Sequence, residues 1–171
     1  ESDFNQSLVD SDGIKFSASV STSFPFPQTM LIPVGRSGFY RVENVPKNLI
    51  VLHRTDGFLK GDLSALTEQD YLVSVPFVIG RNGMIYQLFS SSFWSYHLGR
   101  GCAGGNLVNS QRSVAIEISN IGPLTLSGTT LINAYGDPYC DLSETQYYMV
   151  SPYRGYQYYA TFTDAQYVSL K

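Results

Sequence analysis

The sequence predicts an α/β fold, and three stretches carry that expectation. Leu49-Ile50-Val51-Leu52 is an uninterrupted apolar run that ends at His53, one of two histidines in the chain. Such a run reads as a strand buried on both faces, as at the centre of an α/β sheet. Two further β-rich runs, 74–80 and 84–89, are joined by Arg81-Asn82-Gly83, and Asn-Gly between apolar runs is the strongest short hairpin signal. Near the end, Thr163-Asp164-Ala165-Gln166 has the form of a capping box. Thr163 serves as N-cap and Gln166 reaches back to open a helix carrying Tyr167, Val168 and Leu170.

Length and composition bound the rest. A chain of 171 residues fits one domain that buries about two-thirds of its unfolded surface. The 43% apolar content is ordinary, and the longest apolar runs fall far short of a membrane span. A formal charge of −3 with only scattered arginines argues against nucleic acid as a partner. Aromatics are abundant, with 13 Tyr and 10 Phe, a composition seen both at tyrosine-lined core edges and on surfaces that stack on glycans or peptides. Cys102 and Cys140 permit one disulfide without deciding the compartment. The chain opens at Glu1 without an apolar signal-like segment, so its start says nothing of targeting.

Taken in order, residues 1–46 are Ser-rich and Pro-punctuated, with alternation at Ile14, Phe16, Ala18 and Val20 and a short apolar run from Met30 to Ile32. They read as an N-terminal arm with one or two strands that packs or docks against the body at 47–171, with the tail of a preceding domain as the alternative. Beyond the His53 strand, Gly57 to Gly61 reads as a loop. Leu63 to Tyr71 reads as one or two helical turns started by Asp62 or Ser64. The hairpin leads to Phe93-Trp94-Ser95-Tyr96-His97-Leu98-Gly99 and then to a glycine-rich loop, 99–105, that lacks the lysine spacing of a phosphate cradle.

The next strand, 112–120, holds a carboxylate amid Val114, Ile116 and Ile118. Alternation places Glu117 on the face of Ala115 and Ser119, opposite those three residues. Two readings stand open: a general base whose pKa desolvation raises, or an ion pair with Arg54 or Arg112. Residues 122–159 show no clear periodicity beyond turns at Gly136-Asp137-Pro138 and Tyr153-Arg154-Gly155-Tyr156, and read as a long wrapping loop. The final helix stops eight residues after its cap, which suggests that the native protein continues.

The order of these pieces resembles the zinc-dependent N-acetylmuramoyl-L-alanine amidase family, the fold of phage lysins and peptidoglycan recognition proteins. The resemblance runs from about Asn48 to Lys171. It rests on the strand ending in His53, the 77–88 hairpin, Trp94-Ser95-Tyr96-His97-Leu98-Gly99 as an expanded Trp-His-x-Gly element, Ser113 to Ile118, and the Thr-x-x-Gln helix start. It implies an α/β fold with a central mixed sheet flanked by helices, truncated within its last helix.

It further implies a zinc ion for which His53 is the only family ligand in this chain, the others lying beyond Lys171. It makes Glu117 the candidate catalytic base and puts His97 beside the pocket, in a substrate groove with Trp94 and Tyr86. The implied reaction is hydrolysis of the amide between N-acetylmuramic acid and L-alanine of bacterial peptidoglycan by a zinc-activated water. The fragment alone is then expected to hold zinc weakly. A muropeptide-binding module of the same fold is the alternative, and a virion or cell-surface structural component a third. The implied location is the cell wall, periplasm or exterior, with a phage source among the possibilities.

Overall fold

The computed structural model describes residues 38–171 and the backbone of three short strands before them. Those three are β1 (Ser7–Val9), β2 (Lys15–Ser17) and β3 (Thr29–Leu31). The body runs β4 (Leu49–Arg54), α1 (Leu59–Leu66), β5 (Phe77–Ile79), β6 (Ile85–Gln87), α2 (Asn106–Arg112) and β7 (Ser113–Ile118). Five strands follow: β8 (Pro123–Ser127), β9 (Thr130–Ile132), β10 (Pro138–Asp141), β11 (Tyr148–Tyr153) and β12 (Tyr156–Ala160). The last described element is α3 (Asp164–Ser169). No helix among the described residues is long and apolar enough to cross a membrane.

The main sheet has the order β3-β6-β5-β7-β4 and is mixed. β4, β7 and β5 run parallel, β6 is antiparallel to β5, and β3 is parallel to β6. The apolar run at Met30 therefore joins the main sheet through β3. Of the alternating residues expected nearby, Phe16 lies in β2, while Ile14, Ala18 and Val20 lie outside the described residues. β4 corrects the reading of a strand buried on both faces. It is the edge strand of the described sheet, and Ile50 and Leu52 are 72% and 54% exposed. Alternation explains this: Val51 and His53 share the face that carries the core, and Ile50 and Leu52 look the other way.

The core lies on the face shared by Val78 and Ala115, both about fully buried, together with Phe39, Val75, Tyr86, Leu88 and Phe89. Leu59, Leu63 and Leu66 of α1 pack onto it. That i, i+4, i+7 set is why the helix forms at 59–66 rather than at the expected 63–71. Thr67 closes it, with Oγ1 and the backbone N–H both donating to the carbonyl of Leu63, and Asp70 at φ +63° leaves the helical region altogether.

The β5–β6 hairpin forms as predicted. Its turn is closed by Gly80 N–H to the Met84 carbonyl and by the Asn82 Oδ1 accepting from Met84 N–H, with Gly83 at φ +80°. Residues 122–159 correct the wrapping-loop reading. They form most of a second, antiparallel sheet ordered β10-β9-β8-β12-β11, with a core of Ile121, Leu124, Leu131, Cys140 and Ala160. Its strands are three to six residues long and interrupted by bulges, too short and irregular to show a period. Cys102 and Cys140 are free thiols.

The capping box at the start of α3 is present in both directions: Thr163 Oγ1 accepts from Gln166 N–H, and Gln166 Oε1 accepts from Thr163 N–H. Gln166, fully buried, also donates through Nε2 to the carbonyls of Ser119 and Ile79. One side chain thus caps the helix and ties it to the chain leaving β7 and β5.

Candidate functional site

His53 and Glu117 are register partners on the parallel strands β4 and β7, with Val78 of β5 next in the row. Neighbouring strands lie about 4.8 Å apart, and paired residues share a face. The expected placement of Glu117 opposite Val114, Ile116 and Ile118 is therefore met, and the face it shares with His53 is the one beneath α1. This row stands at the carboxyl ends of three parallel strands, where open α/β sheets gather their sites.

The environment of Glu117 separates its two readings. Arg54 pairs with Asp56 at 2.5 Å, and Arg112 donates to Asn109 Oδ1 at 3.0 Å. Neither neutralises Glu117, whose Oε2 is buried and has no hydrogen-bond partner. Burial, reinforced by the charges of Asp62 and Asp56, pushes its pKa up to about 7. Asp62 is raised too, chiefly by burial, although Ser119 Oγ donates to its Oδ2 at 2.9 Å.

His97 sits against His53. The His53 Nε2 to His97 Nδ1 distance is 2.9 Å, and His97 Nε2 lies 2.7 Å from Ser113 Oγ. Burial, with smaller contributions from His53 and Lys47, lowers the His97 pKa to about 4, and burial alone lowers that of His53. Both rings are thus neutral near pH 7.

Sequence reasoning missed α2, which holds this pair in place. Asn106, Ser110 and Ser113 follow i, i+4, i+7 spacing and line one face. Asn106 Oδ1 accepts from Leu98 N–H at 3.3 Å and from Ser110 Oγ at 2.9 Å. Ser110 Oγ accepts in turn from His97 N–H at 3.4 Å, and Ser113 meets the ring. The spacing of these small polar residues just after Gly105 was the available signal. Asn109 closes the glycine-rich loop by donating to the Ala103 carbonyl at 2.8 Å.

Trp94 and Tyr86, expected in a substrate groove, are 6% and 9% exposed. The indole N–H of Trp94 donates to Glu43 at 2.8 Å, and Tyr86 packs in the core beneath the sheet. An open cleft of about 350 Å³ lies instead between the end of β4 and α3, lined by Leu52, His53, Arg54, Phe162, Tyr167 and Leu170 among others.

The donor chemistry fits one corner of a metal site and not a whole one. His53 offers an imidazole, but among the described residues no three His, Cys, Asp or Glu side chains converge on one point. Structural and catalytic zinc sites take at least three protein ligands, so the described residues do not by themselves form the implied zinc site.

Comparison with known proteins follows the same lines. No curated protein matches the chain. Among solved structures, PlyL is similar at 15% identity over 53% of this chain and 55% of its own, with a TM-score of 0.40. The amidase AmiD from E. coli, in complex with a muropeptide substrate, is similar at 18% identity over 96% of this chain and 48% of its own, with a TM-score of 0.44. AmpD is similar at 18% identity over 86% of this chain and 71% of its own, with a TM-score of 0.47. The chain spans about half the length of PlyL. A family model described as N-acetylmuramoyl-L-alanine amidase matches residues 43–171, about three-quarters of the sequence, and the chain belongs to that family.

Proposed function

We propose that this protein is a peptidoglycan hydrolase that cleaves the amide between N-acetylmuramic acid and the L-alanine of the stem peptide. Membership of the amidase family supports the reaction class. The observation that carries the site is the buried, unpartnered Oε2 of Glu117 beside His53 at the strand ends. A carboxylate with a pKa near 7 is half ionised at neutral pH. It is therefore matched to taking a proton from an attacking water and returning it to the leaving amide nitrogen. His53 is the residue we assign to zinc, an ion that in amide hydrolysis lowers the pKa of water and polarises the carbonyl. His97 holds His53 and borders the substrate path. We further propose that the protein acts on the bacterial wall from the periplasm or outside, and that its source is bacterial or phage. No nucleic-acid partner is proposed.

The test is digestion of purified cell walls, following release of free stem peptides from the glycan. The wild type releases them in a chelator-sensitive way. Full activity in His53→Ala would overturn the zinc assignment.

A second reading, a muropeptide-binding module, is favoured by one observation: no three metal-ligating side chains converge among the described residues. It predicts saturable binding to the same walls with no stem peptide released.

A further inference from the structure

Two protons decide how the histidine pair is arranged. Ser113 Oγ lies 2.6 Å from the carbonyl oxygen of Asn109, four residues back in α2. A carbonyl oxygen only accepts, so at that distance the single hydroxyl proton of Ser113 is spent on it. The contact also has a structural reason: Asn109 O is one of the last carbonyls of α2, which have no partner within the helix. Ser113 is at once the C-cap of α2 and the first residue of β7, at φ −107° and ψ 153°, and is 4% exposed. Its oxygen is therefore fixed from both sides.

With its proton committed, Ser113 Oγ meets His97 Nε2 at 2.7 Å only as an acceptor. His97 then carries its proton on Nε2, and Nδ1 of the neutral ring holds a lone pair. That lone pair faces His53 Nε2 at 2.9 Å, so His53 Nε2 must donate. The backbone N–H of His97 is held by Ser110 at 3.4 Å, which fixes the loop as well as the ring.

We infer that Ser113, acting through His97, is a positioning residue that holds His53 as the Nε2–H tautomer and leaves Nδ1 as its bare nitrogen. The helix terminus sets the serine, the serine sets one ring, and that ring sets the next. Nδ1 is then the His53 nitrogen left to face a ligand in the site, because the other is already engaged. Only this last consequence rests on the function proposed above. The tautomer itself is a property of the free protein.

The experiment is long-range proton–nitrogen correlation NMR on the uniformly nitrogen-15-labelled full chain. It is recorded without metal or cell wall, about two units above the ordinary histidine pKa, where neutral rings prevail. With two histidines in the chain, each ring is resolved, and His97→Gln assigns them by difference. In the wild type both rings should show a protonated Nε2 and a bare Nδ1. Ser113→Ala should move the His53 nitrogens toward the averaged shifts of a ring exchanging between tautomers, and Ser113→Thr should restore the single form. A wild-type His53 protonated on Nδ1, or already averaged, would overturn the assignment. So would a folded Ser113→Ala protein with the His53 shifts unchanged. If that variant fails to fold, the wild-type spectrum still decides. Because no substrate is present, failure of wall hydrolysis and failure of this inference are read in separate experiments.

Discussion

Replacing Glu117 with glutamine should stabilise the protein at neutral to alkaline pH while sharply slowing hydrolysis. In the folded state the carboxyl has a pKa of about 7, against an ordinary 4.5. The folded state therefore holds this proton more tightly than the unfolded chain does. Stability is lost as pH rises from about 4.5 to about 7 and stays lost above. The gap is about 2.5 units, or roughly 3 kcal/mol at about 1.4 kcal/mol per unit. The glutamine variant carries no charge and escapes this cost. At about pH 8 its Tm should exceed that of the wild type by about 6–12 °C, at about 2–4 °C per kcal/mol for a domain of this size. At about pH 4, where the wild-type carboxyl is protonated, the two should agree within about 0.5 kcal/mol. Wall hydrolysis should fall by about a hundredfold or more. Thermal and urea denaturation at both pH values, beside a stem-peptide release assay, read all of this. A stability difference independent of pH would refute the desolvated carboxylate with its unpartnered Oε2. A stabilised variant that turns over normally would remove Glu117 from the chemistry.

Other perturbations act on the supports of the site. His97, with its pKa lowered to about 4, contributes stability that is present above about 6.5 and lost as pH falls through 4. In a Glu117→Gln background, His97→Gln should flatten that acid limb, as followed by the urea midpoint between about pH 6.5 and 4. Gln166→Ala strips partners from the Ser119 and Ile79 carbonyls and the Thr163 N–H, and should cost about 3 kcal/mol or more by urea denaturation. Gly83→Ala places a Cβ 2.8 Å from the Ala165 carbonyl oxygen at φ +80°. It should cost about 1–3 kcal/mol by the same measurement and loosen α3, seen as faster amide exchange there.

What was legible in the sequence was whatever repeats at short range. The Asn82-Gly83 turn and the Thr163–Gln166 capping box are four-residue signals whose partners lie within the signal itself, and both formed as predicted. The alternation that set Glu117 apart from Ile116 and Ile118 is equally local, and it put the carboxylate on the core face. Whether β4 is central or on the edge depends on which strands join it, and an apolar run looks the same in either place. The second sheet was hidden because strands such as Thr130–Ile132 span three residues, shorter than one full cycle of a pattern. α2 was hidden because its defining face, Asn106, Ser110 and Ser113, is polar. Helix searches look for apolar spacing, whereas this helix buries hydroxyls against a histidine loop.

The charges around Glu117 bear directly on its role. A carboxylate with Asp56 and Asp62 as its charged neighbours has a raised pKa only while no cation stands beside it. Arg54 and Arg112 are both occupied: Arg54 pairs with Asp56 and lies 5.4 Å from the ring centre of Tyr159, and Arg112 holds Asn109. Two further candidates for positive charge are the histidines, one of them the register partner of Glu117. Had either ring been protonated near pH 7, its charge would have drawn the carboxyl back toward the ordinary range and weakened it as a base. Burial keeps them neutral, and the Ser113 hydroxyl satisfies His97 without asking it to accept a further proton. The polar face of α2 places His97 against His53, and burial, which lowers the pKa of both rings, keeps them from adding a positive charge beside Glu117.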